Sequence, residues 1–283
     1  IEAENIFSVF RHYENDLFKI WISVNNKKLI SCTHGGNIEK EFFFNSWQKY
    51  SHKYITWNKD KLEKNQINLP INFLLYRSRS KEKIYSRKKE LIFLLPHAET
   101  KPLRLVDGLF CSEILDAIKK WTNLYKNLDP VIQKNFLWRF GPFKDQWNVI
   151  DKLRNNLGTI RVSKKKKFID EVDQAKVSIH VDLQTTFLET MFMNVPSYVL
   201  YNNKFWNVSN KAKLIIKKLE DTKILFYNHK ELGKHLNQNY LKIENWWESK
   251  KVQNARLSFL DYSGVKNQNF ARHDWIKYFK NLK

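Results

Sequence analysis

From about residue 90 onward, short apolar runs alternate with stretches in which apolar residues recur every three or four positions. Continuous apolar runs are typical of strands that are buried on both faces, and the three-to-four spacing is typical of helices. The predicted strands are 91–96, 135–140, 159–163, 176–181, 196–201 and 224–227. Strands that alternate with helices predict an α/β fold, with a parallel Rossmann-type sheet flanked by helices.

The first 75 residues have a different pattern. We predict a helix that ends near Val24, a strand over Lys28–Thr33 that runs into the turn His34-Gly35-Gly36, and a strand in HKYITWN. A proline-marked and then strongly basic stretch follows, which is typical of a linker.

These changes in pattern divide the chain into four parts. They are part of an N-terminal α/β domain (1–75), a basic linker (76–90), a Rossmann-like domain (91–265) and a C-terminal helix (266–283). Since residue 1 is Ile, we expect the first part to be the C-terminal portion of a larger domain.

The formal net charge of +21 favours anionic partners such as nucleic acid, lipid head groups or phosphorylated substrates. Most of this charge is Lys in a chain rich in Asn and Ile, so part of it is expected on solvated faces. The aromatic residues fall in predicted cores and helix faces. This distribution disfavours a base-stacking surface and makes nucleic acid the weaker candidate partner.

The sequence lacks the motifs of several functional classes, and these absences argue against those functions. It contains no signal peptide and no apolar run near the ~18 residues of a membrane span. Cys32 and Cys111 have no metal-ligand spacing, so we expect a reduced, cytoplasmic setting and no metal site. There is no G-x-G-x-x-G, P-loop or G-x-S-x-G motif, which disfavours NAD-linked, P-loop and hydrolase functions.

Ligands of open parallel sheets bind outside the carboxyl ends of the strands. After strand 176–181 come Gln184, Thr185, Thr186 and Glu189. Backbone N–H groups and hydroxyls at a helix start suit a phosphate, and Glu189 is placed to accept hydrogen bonds from a ribose. The alternative is ordinary helix capping, with Asp182 as the cap.

Other candidates lie at further strand ends. Arg139 ends a buried strand, where a guanidinium either recognises phosphate or pairs with a carboxylate. His34 precedes two glycines and is either a general base or electrophilic donor, or a turn residue without chemistry. His97 and Lys144 are further possible site residues, whereas His180 is expected in the core.

Four motifs follow one another in order over most of the chain. They are NDLFKIWISVNNKKLISCTHGGNIEKEFFFNSWQKYSHKYITW, NFLWRFGPFKDQW, TTFLETMFMNVPSYVLYNNKFW and NWWESKKVQNARLSF. As a set they resemble a bacterial transferase family of surface-polysaccharide loci. That family is similar to GT-B glycosyltransferases, both those that use CMP-activated ulosonic acids such as Kdo and the teichoic acid polymerases. Phe143-Lys144 stands where the family shows His-Asp.

This resemblance implies a GT-B-like fold and the transfer of a sugar from a nucleotide-activated donor to a glycan or lipid-linked acceptor. It places His34 in the reacting centre, Arg139, Thr185 and Thr186 near phosphate, and Glu189 at the ribose. We predict that Gly35, Gly36 and Gln184 also bind the nucleotide or its phosphates. The resemblance implies no cofactor, because the nucleotide-sugar is a substrate, and the positive charge would suit an anionic inner-membrane surface. A nucleic-acid-binding protein and a non-catalytic GT-B-like scaffold stay open as alternatives.

Overall fold

The fold is described from a computed structural model, which defines residues 2–9, 12, 15–36, 38, 47–57, 62–74, 90–95, 113–141, 147–172, 174–203, 206–265 and 271–282. These residues form two parallel sheets with helices around them, so the predicted α/β fold is confirmed. Most of the predicted linker, and the candidates His97 and Lys144, lie outside the described residues. Among the described helices, none is long and apolar enough to cross a membrane.

The first sheet contains four parallel strands in the order β1-β2-β3-β4. They are β1 (Asn5–Ser8), β2 (Lys28–Cys32), β3 (Lys53–Thr56) and β4 (Gln66–Asn68). Helix α1 (Asp16–Val24) connects β1 to β2, and a helical turn over residues 47–50 precedes β3. The predictions of α1, β2 and β3 are confirmed, but β1 and β4 were missed. Both are short strands that are only partly buried, so their apolar signal is weak.

The second sheet contains five parallel strands in the order β6-β5-β7-β8-β9. They are β5 (Glu90–Leu94), β6 (Phe136–Arg139), β7 (Ala175–His180), β8 (Ser197–Leu200) and β9 (Leu225–Phe226). The predicted strand 159–163 is wrong as a strand, because only Val162 forms a bridge, to Trp138. Its side chains at this edge of the sheet are half-buried or exposed, which leaves little apolar burial to extend the pairing.

Helices cover both faces of the second sheet. They are α2 (Glu113–Lys126), α3 (Pro130–Lys134), α4 (Val149–Leu157), α5 (Ile169–Val172), α6 (Thr185–Phe192), α7 (Asn210–Asp221), α8 (His229–Asn239), α9 (Ile243–Trp247) and α10 (Lys250–Tyr262). A core around Phe93 and Trp138 includes Leu124 of α2 and Leu236 of α8. A second core on the other face includes residues of α6, α7 and α10, among them Phe259.

The last helix, α11 (Ala271–Lys280), packs on the first sheet rather than the second. Trp275 lies in a core cluster with Ile30, Cys32 and Ile55, and its Nε1 donates to the Pro70 carbonyl at 2.8 Å. The chain therefore returns from α10 to the first sheet, and this crossing brings Gly264 against Trp57. A Cβ on Gly264 would lie 1.8 Å from the Trp57 carbonyl oxygen, and the φ of Gly264 is +81°.

Two glycines with positive φ provide a test of this crossing. Gly264→Ala meets both backbone strain and the Trp57 carbonyl, whereas Gly158→Ala, at φ +76°, meets nothing within 4 Å. We expect Gly158→Ala to lower the free energy of unfolding by about 1–3 kcal/mol, because residues with a Cβ rarely adopt its backbone conformation. Gly264→Ala should lower it by at least ~3 kcal/mol, since main chain must also shift. Urea denaturation followed by circular dichroism gives both values, and equal losses would contradict the close crossing.

Candidate functional site

The order of the second sheet reverses between β5 and β7, which are neighbours although β6 comes between them in the chain. Val162 forms a parallel bridge to Trp138 on the outer side of β6. When this bridge is counted as a sixth, outermost position, the strand order is that of a doubly wound sheet. In such sheets the ligand crevice lies at the carboxyl ends of the two strands where the order reverses. Here that place is the turn between β7 and α6, the TTFLE helix.

The start of α6 offers backbone N–H groups in this crevice. Gln184 is the N-cap residue in extended conformation, and its side chain makes no capping hydrogen bond. Asp182 accepts the N–H of Gln184 at 3.1 Å, so its carboxylate holds the turn that leads into the helix. The N-cap position is Gln184, so the prediction of Asp182 as the N-cap residue is wrong. Thr185 and Thr186 are half-buried at this helix end.

The turn His34-Gly35-Gly36 packs directly on this helix start. The Gly36 N–H donates to Thr185 Oγ1 at 3.2 Å. A Cβ on Gly35, at φ +67°, would lie 2.3 Å from Thr185 Oγ1, and a Cβ on Gly36 would lie 2.7 Å from the Gln184 carbonyl carbon. Gly36 accepts only glycine because its main chain approaches the main chain of Gln184, and Gly35 favours glycine because of its positive φ and the close Thr185 side chain. The exposed side chain of His34 is therefore held beside the α6 N-terminus.

The C-terminal end of α6 is held by Arg256, which lies in NWWESKKVQNARLSF, the last of the four sequence motifs. Arg256 donates from Nε to the Met191 carbonyl at 2.6 Å and from Nη2 to the Phe192 carbonyl at 3.3 Å. A guanidinium at a helix C-terminus satisfies carbonyls that have no partner within the helix and matches the helix dipole. Arg256 binds the C-terminal end of α6 and thereby helps to orient its N-terminal end towards His34.

A buried polar network holds α6 against its two neighbouring strands. His180 of β7 lies 2.5 Å from Ser178 Oγ and 3.1 Å from Thr190 Oγ1, and Ser197 of β8 donates to Thr190 at 2.9 Å. Complete burial lowers the pKa of His180 to about 3, so the imidazole is neutral near pH 7. The prediction that His180 is a core residue is confirmed.

Glu189 lies one turn into α6 and is only 5% exposed. The resemblance implies that this side chain faces the cleft at a ribose, whereas the structure buries it. A carboxylate shielded from water accepts stronger hydrogen bonds than an exposed one, which is compatible with ribose binding. Its burial also means that a change at this position can affect packing, so a test must keep its size.

Arg139 has protein partners for its terminal nitrogens. Nη1 pairs with Glu171 at 2.5 Å and donates to Ser163 Oγ and to the Lys165 carbonyl, each at 3.0 Å. Both members of the ion pair are buried. The structure thus shows the ion-pair alternative, in which Arg139 fixes the loop after Val162, and its geometry gives the phosphate role no support.

His12 is a residue that the sequence analysis missed. It follows β1, next to β2, so it lies at the same sheet edge as His34. It is buried, its Nδ1 lies 3.2 Å from Ser8 Oγ, and its ring meets that of Trp47 edge-on at 4.7 Å. Burial, and then the charge of Lys19, lowers the pKa of His12 to about 4. The only signal was a histidine after a possible strand, and β1 is too short for its pattern to be recognised.

The described residues contain no group of three or more His, Cys, Asp or Glu side chains that could hold a metal ion. They do bring together five of the predicted site residues: His34, Gly35, Gly36, Gln184 and Thr185. Thr186 and Glu189 lie on the same helix. Arg139, at the end of β6, is two strands away from β7, roughly 10 Å across the sheet.

The buried pair provides a direct test of the role of Arg139. Arg139→Met alone leaves Glu171 buried without its partner and should lower the free energy of unfolding by about 3–5 kcal/mol. The double variant Arg139→Met/Glu171→Leu should recover most of this loss, because no charge then remains buried. Urea unfolding measures both variants. A folded double variant that binds nucleotides at least tenfold more weakly than the wild type would show instead that Arg139 contacts phosphate.

Comparisons with solved structures identify the fold. The structure of S. aureus MnaA with UDP is 12% identical, with a TM-score of 0.56 over 99% of this chain and 76% of that chain. A structure of the wall teichoic acid polymerase TagF with CDPG is 14% identical, with a TM-score of 0.50 over 99% of this chain and 72% of that chain. At such identity these matches show the GT-B-like fold alone.

No curated protein matches the chain. A family does match, over residues 2–279, which is nearly the whole sequence, and its description is LIC12162 family transferase. The expected resemblance to a transferase family with a GT-B-like fold is therefore confirmed: the chain belongs to the LIC12162 family of transferases.

Proposed function

We propose that this transferase moves a sugar from a nucleotide-activated donor to an acceptor hydroxyl, with the nucleotide held at the start of α6. The observation that carries the proposal is the hydrogen bond between the Gly36 N–H and Thr185 Oγ1. This hydrogen bond holds the exposed His34, which follows a strand of the first sheet, beside the N-terminus of α6. That helix end lies at the ligand crevice of the second sheet. A donor phosphate and a proton acceptor would meet at this contact.

The donor phosphates would bind the first-turn N–H groups of α6, with the Thr186 hydroxyl beside them. A helix N-terminus carries a partial positive charge and stabilises the phosphate as negative charge develops on it. The related folds support a nucleotide ligand, since MnaA is solved with UDP and TagF with CDPG. The carboxylate of Glu189 would accept hydrogen bonds from the ribose hydroxyls.

His34 would act as the general base. In the proposed step, the acceptor oxygen attacks the anomeric carbon of the sugar while the imidazole takes the hydroxyl proton. The bond from the anomeric carbon to the phosphate oxygen breaks, and its electron pair leaves with the nucleotide. Imidazole suits this role because it can take up a proton near neutral pH.

The acceptor would be a cell-surface glycan or a lipid-linked precursor of one, as the resemblance of the motifs implies. Two other functions compete with this proposal. A non-catalytic scaffold would bind nucleotide without turnover, and a nucleic-acid-binding protein would bind oligonucleotides through its charge of +21. The two experiments below separate these outcomes.

Nucleotide binding tests the donor site. We would titrate the protein with CMP, CDP, UDP, GDP and a mixed-sequence oligonucleotide by calorimetry at two salt concentrations. We expect selective binding of one nucleotide, weakened about 10- to 100-fold in Glu189→Gln, because a charge-assisted hydrogen bond is lost while the size of the side chain is kept. Glu231→Gln, at an exposed glutamate of α8, is the matched control. Binding of the oligonucleotide alone, and only at low salt, would refute the donor site.

Replacement of the histidine tests the transfer step. With the donor that calorimetry identifies, we expect His34→Asn to lower kcat by roughly 10²–10⁴-fold, since the general base is lost. Nucleotide affinity should stay within about twofold of the wild-type value. His52→Asn is the control, because His52 is exposed at the amino end of β3, on the opposite edge of the same sheet. Unchanged turnover in His34→Asn would remove His34 from the mechanism, and nucleotide binding without turnover in the wild type would favour the scaffold.

A further inference from the structure

A groove lies along α2, on the side of the second sheet that carries α2 and α8. Its volume is about 430 Å³, which is within the usual range of small-ligand sites. Five of the residues that line it belong to one side of α2: Glu113, Asp116, Lys119, Lys120 and Asn123. Asn202, which follows β8, and His229, the first residue of α8, also line the groove.

The packing of α2 against α8 leaves this groove open. A Cβ on Gly233 of α8 would lie 3.8 Å from Leu124 Cδ1, and further along α8 the side chain of Asn237 accepts the Asp129 N–H at 3.0 Å. The two helices therefore run in the same direction, and His229, four residues before Gly233, lies near the middle of α2. The N-terminal half of α2 extends beyond the start of α8, so α8 does not cover its exposed side. That side forms one wall of the groove.

The charges that line the groove cancel. The two carboxylates are those of Glu113 and Asp116, and the two ammonium groups are those of Lys119 and Lys120. Burial, and then the charges of Lys230 and Lys120, lower the pKa of His229, so its imidazole is neutral near pH 7. On a chain with a net charge of +21, this groove is an exception, because it has no net attraction for anions.

Hydrogen-bonding capacity, rather than net charge, characterises this lining. Among the described residues that line the groove, every side chain carries a donor or an acceptor and none is apolar. Carboxylates only accept, ammonium groups only donate and amides do both, so a ligand that pairs with all of them must also do both. The hydroxyl groups of a sugar meet this requirement. Helix α2 places Glu113 and Asn123 about 15 Å apart, a length that suits several sugar units in a row.

We propose that this groove binds an uncharged segment of the acceptor glycan. Asn202 lies at the carboxyl end of β8, which is the neighbour of β7 in the sheet, so the groove begins next to the crevice at the start of α6. A glycan chain would run from that crevice along α2. An oligonucleotide fits less well, because Glu113 and Asp116 would repel its phosphates. That the glycan is the acceptor rests on the proposed function, whereas the glycan site itself does not.

Glycan binding tests the groove. The full chain would be applied to a printed array of bacterial surface glycans at about 0.5 M NaCl, which screens attraction to the basic surface. We expect binding to uncharged glycans. The dissociation constant of the best one, measured by NMR titration, should stay within about twofold between about 0.1 M and about 0.5 M NaCl. The double variant Asp116→Ala/Asn123→Ala should bind it at least about fivefold more weakly, because two hydrogen-bonding groups are lost. Ala is the best helix former, so α2 itself is expected to remain.

A matched double variant controls for the loss of polar side chains in general. Asp151→Ala/Asn155→Ala replaces the same two residue types on the exposed side of α4, and it should bind the glycan as the wild type does. Nucleotide affinity should stay within about twofold of the wild-type value in both double variants, because neither changes α6. Circular dichroism and thermal unfolding would verify that both variants are folded.

Three results would overturn the proposal. The first is a wild-type chain that binds no uncharged glycan of the array. The second is equal glycan binding by the α2 variant and the α4 control, which would place the glycan elsewhere on the protein. The third is an α2 variant that loses nucleotide affinity together with glycan binding, because the groove would then be part of the donor site. Glycan binding by a chain that binds no nucleotide would support the groove and refute the donor site alone.

Discussion

The structure depends on the close approach of two backbone segments that are 149 residues apart in the chain. Gly35 and Gly36 contact Gln184 and Thr185 so closely that neither glycine can carry a side chain. This contact joins the carboxyl end of β2 to the carboxyl end of β7, and therefore one sheet to the other. A side chain on Gly36 would separate the two main chains, and one on Gly35 would displace the Thr185 side chain, so either would move His34 away from α6. The geometry of the candidate site is thus set by the absence of two Cβ atoms.

The contact has a defined geometry only because the surrounding residues hold α6 in place. The helix has only eight residues, so it cannot be stable by itself. Arg256 holds its C-terminal carbonyls, and the His180-Thr190-Ser197 network ties it to β7 and β8. A neutral imidazole serves well in that network, because a charged one would be costly in so buried a place. The polar residues in the core therefore position the helix, and with it the N-terminal end that lies at the crevice.

The sequence predicted those parts of the fold whose signal is local. Strands β5 to β9 are buried on both faces, so their continuous apolar runs were recognisable, and the glycine pair after β2 marked a special turn. Strand 159–163 was wrong because two apolar residues at a sheet edge support one bridge and no more. The partner of Arg139 was beyond prediction, since Glu171 is 32 residues away and nothing nearby marks it as the counter-ion. The contact of Gly36 with Thr185 had no local signal for the same reason.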